Sequence, residues 1–338
     1  LGTSIAMFGE PWGLHEFPAQ LILGTTKDIH LLFYDIHGDA KASGGKVLGY
    51  FYSRDNFLKT SNSGSNQKLV LALDSPSLKD AEYMQDIIIH EFQHMIHFYQ
   101  KTILRATVKK SETWLNEMLS EVAVDLVRHK LSQKSVILPR RLAYYLKSPW
   151  KDSLTGWQSS VDDYYSVAAF GSYLLRRSSS PSSLKSGDLA RKILQNQYTD
   201  AQAITSAISQ EGGGVSWENL IAAWGVQTLA SYPATSDLSA IDLWNIDGSN
   251  SGIPMFHLIP DSVRTNVRTM RPYMLYFDQS GLIKGIVSKD RILYFNTIQF
   301  PKPGGHVYVY LGKPKRNTDV HLSVSTSSSI RYALVPLP

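Results

Sequence analysis

The sequence predicts an α+β fold: an N-terminal sheet, a helical half, and then a small antiparallel β-sandwich. Three observations predict it. Apolar or aromatic runs at residues 29–35, 47–52 and 69–74 are broken by Gly, Asn and Ser, as strands are. Helical periodicity dominates from residue 138 to about residue 229. Shorter β-like runs follow between turn signals, at residues 273–277, 291–295, 307–311, 320–324 and 331–335.

Local composition indicates the domain boundaries, and charge and hydropathy argue against a nucleic-acid-binding or membrane-spanning protein. We predict one domain at residues 1–232, a linker rich in Ser, Asp, Gly and Pro at residues 233–262, and a second domain at residues 263–338. The net charge of +5 is spread along the chain, and Arg doublets such as Arg140-Arg141 are interpreted as solvated surface, so no nucleic-acid partner is expected. No apolar run approaches the roughly 20 residues of a membrane span.

The helix predicted after the N-terminal sheet carries the most informative motif. Ser77 with Asp80 forms a capping-type start, and residues 83–89 contain no Gly or Pro. From residue 87 to residue 99 apolar side chains occupy nearly every face, which predicts a helix packed through the middle of a domain. Inside this helix, residues 90–94 read HEFQH, an HExxH motif.

The HExxH spacing is typical of a zinc hydrolase. His90 and His94 share one helix face a turn apart, so both imidazoles can bind one metal ion, and Glu91 can act as a base beside the remaining open position. The alternative is a pair of core histidines bonded to backbone carbonyls. Three ionisable groups within five positions of a buried helix are costly to desolvate unless a metal charge organises them. The absence of cysteine leaves His and carboxylates as metal ligands.

Two places compete for the third metal ligand. His97 lies roughly 10 Å along the helix from His90, too far to share an ion, and is interpreted as a packing or surface histidine. A second helix, predicted from a capping signal at Ser111 to residue 127, carries Glu117 and Glu121 one turn apart. The first carboxylate can bind zinc while the second accepts the outward N–H of a ligand histidine. A solvated acidic face is the alternative, but apolar residues surround Glu117.

The residues HEFQHMIHF and TWLNEMLSE, at 90–98 and 113–121, resemble the thermolysin-type gluzincins and most closely the hyicolysin family of bacterial zinc metallopeptidases. The resemblance implies that His90, His94 and Glu117 bind zinc, Glu91 is base and acid, and Glu121 is the outer partner of a ligand histidine, where thermolysin has aspartate. It also implies a gluzincin-like catalytic domain: an N-terminal mixed sheet with an exposed substrate-binding edge at residues 49–52, an active-site helix and a helical lower half.

Residues 162–175 resemble the helix that bears the catalytic tyrosine of gluzincin aminopeptidases. In that comparison Tyr165 donates to the oxyanion; a structural Tyr165 is the alternative. The family has Lys-Gly where this chain has Val167-Ala168. His306 and His321 are isolated and are interpreted as structural. The sequence DIHGD at residues 35–39 lacks the full ligand series of a calcium loop, so calcium is not indicated and a turn is predicted.

The sequence therefore predicts a zinc endopeptidase with one catalytic Zn²⁺, acting as a monomer on protein or peptide substrates. An aminopeptidase is the weaker alternative, because no GxMEN-like anchor for a free amine occurs. An alternative from another class is a surface binding or adhesion protein whose metal site is structural or vestigial. The family resemblance further implies an extracellular or cell-envelope location after removal of an export signal.

Overall fold

The computed structural model describes residues 1–38, 46–105, 110–147, 153–177, 186–210, 214–230, 274–277, 283–288, 291–293, 304–306 and 308–310. Its architecture is mixed α/β, with a small three-stranded sheet followed by many helices. Within these residues, no helix combines the length and the apolar character needed to cross a membrane.

The N-terminal sheet is mixed, as predicted. It contains β1 (Ile29–Tyr34), β2 (Gly49–Phe51) and β3 (Leu69–Asp74) in the order β1-β3-β2. β1 runs parallel to β3, whereas β2 runs antiparallel to it and forms one edge of the sheet. The central strand β3 is buried, as a strand covered on both faces should be.

A short helix, α1 (Gly2–Phe8), precedes the sheet and was not predicted from the sequence. Its last carbonyls are bound by side chains from a later helix: Arg191 Nε donates to the Met7 carbonyl at 2.7 Å and Gln195 Nε2 to the Phe8 carbonyl at 3.2 Å. These long-range contacts satisfy orphan acceptors at the helix end, which a local sequence pattern does not reveal.

The HExxH helix is α2 (Ala81–His97), and it begins later than predicted. Asp80 is the N-cap and accepts from the Tyr83 backbone N–H at 2.9 Å. The predicted cap at Ser77 is wrong, because Ser77 lies in a preceding 3₁₀ turn and its hydroxyl donates to Asp74 Oδ2 at 2.7 Å. The helix continues into a π-helical turn, Phe98–Ile103. Its centre is buried as expected, with Phe92 fully covered.

The second ligand helix is α3 (Thr113–Lys130). Its N-cap is Glu112, which makes no side-chain capping bond, so the predicted cap at Ser111 is also wrong. The Glu112 N–H instead donates to the Thr199 carbonyl at 2.8 Å. Tertiary contact therefore sets where this helix begins.

The helical half consists of α4 (Leu138–Lys147), α5 (Val161–Arg177), α6 (Ser186–Gln195), α7 (Ala201–Ser209) and α8 (Trp217–Ala230). One large core joins these helices to α1, α2 and α3. The approach of α5 to α3 is close, since a Cβ at Gly171 would lie 2.7 Å from Val122 Cγ2. The predicted helical periodicity from residue 138 to residue 229 is confirmed for the described residues, whereas the predicted linker at residues 233–262 lies outside them.

The described C-terminal strands are β4 (Met274–Phe277), β5 (Ile283–Ser288), β6 (Arg291–Leu293) and β7 (Tyr308–Tyr310), in the order β6-β5-β4-β7. The β4–β5 and β5–β6 pairs are antiparallel, but β4 and β7 are parallel, so this sheet is not the purely antiparallel one predicted. β5 was not predicted. The last two predicted strands, and the residues from which a second sandwich layer would come, lie outside the described residues.

His306 contacts the helical half directly. The Tyr145 hydroxyl lies 2.9 Å from Nδ1, and Nε2 lies 3.0 Å from the Ile221 carbonyl. Burial lowers the pKa of His306 to about 4, which keeps the ring neutral. These contacts fit the structural role predicted for it. His321 lies outside the described residues.

Candidate metal centre

Two imidazoles meet on one face of α2. The helical period places His90 and His94 a turn apart, with ring centroids 4.8 Å apart and planes at 83°. Their Nε2 atoms are 3.2 Å apart. The two nitrogens therefore point at a common position above the helix, as the motif predicts.

Glu117 from α3 completes the group. Its Oε2 lies 3.1 Å from His90 Nε2 and 3.5 Å from His94 Nε2. A tetrahedral zinc ion with bonds of about 2.0–2.1 Å holds its ligand atoms about 3.3 Å apart, so this donor set fits zinc in both type and spacing. Among the described residues, these three form the cluster of His and acidic side chains close enough to share an ion. His97 is buried separately, which agrees with a packing role.

Outer hydrogen bonds fix the tautomer of each ring. His90 Nδ1 lies 3.0 Å from Glu121 Oε1, as predicted for that carboxylate. His94 Nδ1 lies 3.1 Å from Asn116 Oδ1 and 3.1 Å from Ser120 Oγ, two partners that sequence reasoning missed. An Nδ1–H that donates to an oxygen leaves the Nε2 lone pair for a metal. Asn116 and Ser120 are one turn apart on α3, like Glu117 and Glu121. This spacing is the sequence signal that could have identified them as partners of His94.

Glu91 lies beside this cluster, held by the edge of the N-terminal sheet. Its carboxyl Oε2 accepts from the Phe51 backbone N–H at 3.1 Å. The strand and the helix are close here, because a Cβ at Gly49 would lie 3.1 Å from Glu91 Cγ and 2.9 Å from Ile87 Cγ2. The predicted edge strand β2 thus lies against the predicted base.

Comparison with known proteins agrees with this geometry. The family model of peptidase M30 matches residues 4–288. The chain belongs to the peptidase M30 family. It is also similar to the neutral metalloprotease ShpI of Staphylococcus hyicus, at 27% identity over 190 residues. That alignment covers 53% of this chain and 41% of the relative, so the chain matches less than half of the relative's length. The resemblance to the hyicolysin family is confirmed.

The electrostatics of this candidate metal centre favour positive charge between the three donors. Burial lowers the pKa of His90, but its bonds to Glu117 and Glu121 outweigh burial and raise the pKa above its ordinary value. Burial raises the pKa of Glu117, but the two histidines outweigh it and bring that pKa well below its usual range. A carboxylate that holds a proton on two imidazoles can equally hold a dication. The donor set therefore fits the metal that a metalloprotease family implies.

The tyrosine beside the M30 centre is Tyr164. Its ring centroid lies 6.1 Å from that of His90 and 5.0 Å from that of Trp157, which it meets edge-on. Tyr165, the predicted oxyanion donor, stacks on Tyr144 with centroids 5.0 Å apart. Consecutive helical residues point about 100° apart, so the rotation of α5 decides which of the two tyrosines faces the histidines. Burial, with the nearby carboxylates, raises the pKa of Tyr164, so its hydroxyl stays protonated.

Proposed function

We propose that the chain is a zinc-dependent endopeptidase that hydrolyses peptide bonds in proteins or peptides. The observation that carries the proposal is the meeting of His90 Nε2, His94 Nε2 and Glu117 Oε2, with each ring held from behind by an oxygen. Zinc bound there would polarise both a water molecule and the substrate carbonyl. The M30 family membership and the similarity to a metalloprotease support this function.

Glu91 is the residue we assign to proton transfer. It is 8% exposed, so it is largely shielded from solvent but not fully enclosed. It takes a proton from the attacking water and then delivers that proton to the leaving amine nitrogen. The Phe51 N–H holds Oε2 in place, so the carboxylate enters the reaction already oriented.

The test of this mechanism is Glu91→Gln. General acid–base catalysis contributes typically about 10²–10⁴-fold, so we expect cleavage of a denatured protein to fall by at least about 100-fold. Zinc content should not change, because Glu91 is not a ligand. Glu82→Gln is the matched control, since Glu82 is an exposed glutamate on the same helix. Cleavage by Glu91→Gln at the parent rate would contradict the mechanism.

We assign the oxyanion donor to Tyr164, since its ring lies beside His90. Loss of one such donor typically lowers kcat by about 10²–10³-fold, and we expect Tyr164→Phe to lower kcat by a factor in this range. Tyr165→Phe is the control and should keep most of the parent kcat. The reverse order of the two variants would restore Tyr165 as the donor.

Two further comparisons separate the alternatives. Peptides with blocked and with free N-termini distinguish an endopeptidase, which cleaves both, from an aminopeptidase, which needs the free amine. Turnover that is lost to a chelator and regained with zinc distinguishes an enzyme from an adhesion protein, which shows no turnover in either state. Secretion, action as a monomer and a single zinc ion are parts of the proposal that cell fractionation, sedimentation and metal analysis test directly.

A further inference from the structure

We propose that Arg141 is a positioning residue of the metal centre, holding Glu121 against the back of His90 and supporting the Tyr164 ring beside it. Arg141 belongs to the doublet that the sequence placed on the solvated surface. The role of its second contact in catalysis rests on the proposed peptidase function, whereas its effect on metal binding does not.

The first contact is a charge-assisted hydrogen bond. Arg141 Nη1 donates to Glu121 Oε1, and the same carboxylate oxygen lies 3.0 Å from His90 Nδ1. The side chain of Glu121 is 3% exposed and that of Arg141 is 18% exposed, so the pair is largely shielded from water. Bonds between ionised groups are strong in such surroundings. The Arg141 guanidinium, the Glu121 carboxylate and the His90 imidazole therefore form a chain of hydrogen bonds that ends at the proposed metal-binding nitrogen of His90.

The second contact is between the guanidinium and the Tyr164 ring. Arg141 Cζ lies 4.6 Å from the centroid of the Tyr164 ring, a cation–π distance. The Trp157 ring packs against Tyr164 in a T-shaped arrangement, with ring centroids 5.0 Å apart. One planar fork therefore binds the partner of a zinc ligand and supports the tyrosine beside the same ligand. A lysine has no such plane, so it cannot replace both contacts.

The position of Arg141 is itself fixed relative to α2. The segment leading into α4 is bound by Asp86 Oδ2, which accepts from Ser135 Oγ at 2.8 Å, from Val136 N at 2.8 Å and from Ile137 N at 3.1 Å. Asp86 lies on α2 one turn before His90. The helix that carries the imidazole thus anchors the helix that carries the arginine, and the two are joined again through Glu121.

The neighbouring residue supplies a matched control. Arg140 is exposed, whereas Arg141 is mostly covered. The two variants Arg140→Met and Arg141→Met remove the same charge from adjacent positions of one helix. A difference between them reports the contacts of Arg141 rather than the net charge of the protein.

The experiment measures the zinc dissociation constant of the full chain by competition with a chromophoric chelator. Loss of an outer partner of a ligand histidine typically weakens metal binding about 10–100-fold, and we expect a change of this size for Arg141→Met. Arg140→Met should stay within about twofold of the parent. Equal dissociation constants for Arg141→Met and the parent would overturn the inference.

Two more variants keep the inference testable even where Arg141→Met folds poorly. Arg141→Lys keeps the charge facing Glu121, so we expect most of the zinc affinity to return while kcat stays low, because the flat contact with Tyr164 is lost. Full recovery of kcat would overturn the part of the proposal that concerns Tyr164. Glu121→Gln removes the carboxylate between Arg141 and His90 and should weaken zinc binding about 10–100-fold; a parent-like zinc affinity in this variant would show that Arg141 does not act through Glu121.

The outcome is separable from that of the proposed function. A parent protein that binds zinc but cleaves no peptide would refute the peptidase, while the difference between Arg141→Met and Arg140→Met in zinc affinity would still stand. If the protein is an active peptidase and the Arg141 variants change neither its zinc affinity nor its kcat, the inference about Arg141 is refuted and the proposed function is not.

Discussion

Two buried clusters of charged side chains join α2 to α3, and their difference shows which one is built for chemistry. At one end of the helix pair, Arg128 Nε lies 2.6 Å from Asp86 Oδ1, and Arg128 Nη1 donates to Gln85 Oε1 at 2.6 Å and to Gln133 Oε1 at 2.8 Å. Asp86 accepts three further bonds from the chain leading into α4. One positive and one negative charge face each other, each surrounded by hydrogen bonds.

At the other end the charged side chains do not form a single closed ion pair. Carboxylates of Glu91, Glu117 and Glu121 lie around His90 and His94, and three donor atoms from two helices converge on one position. The side chains of Asp86 and Arg128 are 0% and 3% exposed, whereas those of His90, His94 and Glu117 are 10–12% exposed, so depth of burial does not mark the candidate functional site. Perturbed groups that converge on a point do mark it. A saturated ion pair stabilises the helix pair, whereas the convergent cluster presents three donor atoms that could hold one cation.

The largest expected effect comes from removing the ligand on α3. Glu117→Gln should weaken zinc binding by more than the roughly 100-fold upper range for an outer partner, and cleavage should fall with it. The measurements are chelator competition and hydrolysis of a denatured protein. A parent-like zinc affinity in this variant would show that Glu117 is not a metal ligand. The contrast between a structural and a functional cluster would then fail.

The next effect concerns stability rather than activity. Arg128→Met leaves Asp86 buried without its partner, and breaking a buried ion pair typically costs about 3–5 kcal/mol. Denaturant unfolding of the metal-free protein measures this loss, with the exposed Lys130→Met on the same helix as the control. Zinc affinity of the folded variant should stay near that of the parent. Should zinc binding fail while stability is unchanged, the two clusters would have exchanged roles.

The smallest effect, taken per pH unit and per proton released, is a dependence of zinc affinity on pH. The pKa values of His90 and His94 are raised by their carboxylate partners, so in the metal-free protein protons occupy the imidazoles that zinc needs. Affinity should therefore increase with pH, by about 1.4 kcal/mol per pH unit for each proton released. Calorimetry in two buffers between about pH 6 and 8 counts these protons. Zinc binding that releases no proton would contradict the assigned electrostatics.

The same pKa shifts carry a definite sign for folding. A histidine whose pKa is raised in the folded state stabilises the metal-free protein fully below its ordinary pKa of about 6.5, and this stability is lost as the pH rises through the folded value. Glu117 has the opposite sign: its lowered pKa contributes stability above the ordinary value of a glutamate, and this is lost as the pH falls.

Sequence reasoning failed where packing sets the detail. The helix starts at Ser77 and Ser111 were predicted from local capping signals, but Asp80 and Glu112 hold those positions, and Glu112 is bound across the fold by Thr199. Tyr164 and Tyr165 are indistinguishable by pattern, because only the rotation of α5 against α3 separates them. Arg141 looked like its exposed neighbour for the same reason.

The sequence by itself related the proposed ligand pair to the proposed base, because the period of one helix fixes His90, Glu91 and His94 relative to one another whatever surrounds them. It also indicated the acid on the next helix through its apolar neighbours and its family resemblance. Only the tertiary structure decided what surrounds these groups: the Phe51 N–H on Glu91, the Asn116 and Ser120 oxygens on His94, and Arg141 behind Glu121. The physical reason is distance along the chain. Local geometry is repeated by the backbone, whereas contacts between separate elements depend on how whole faces pack.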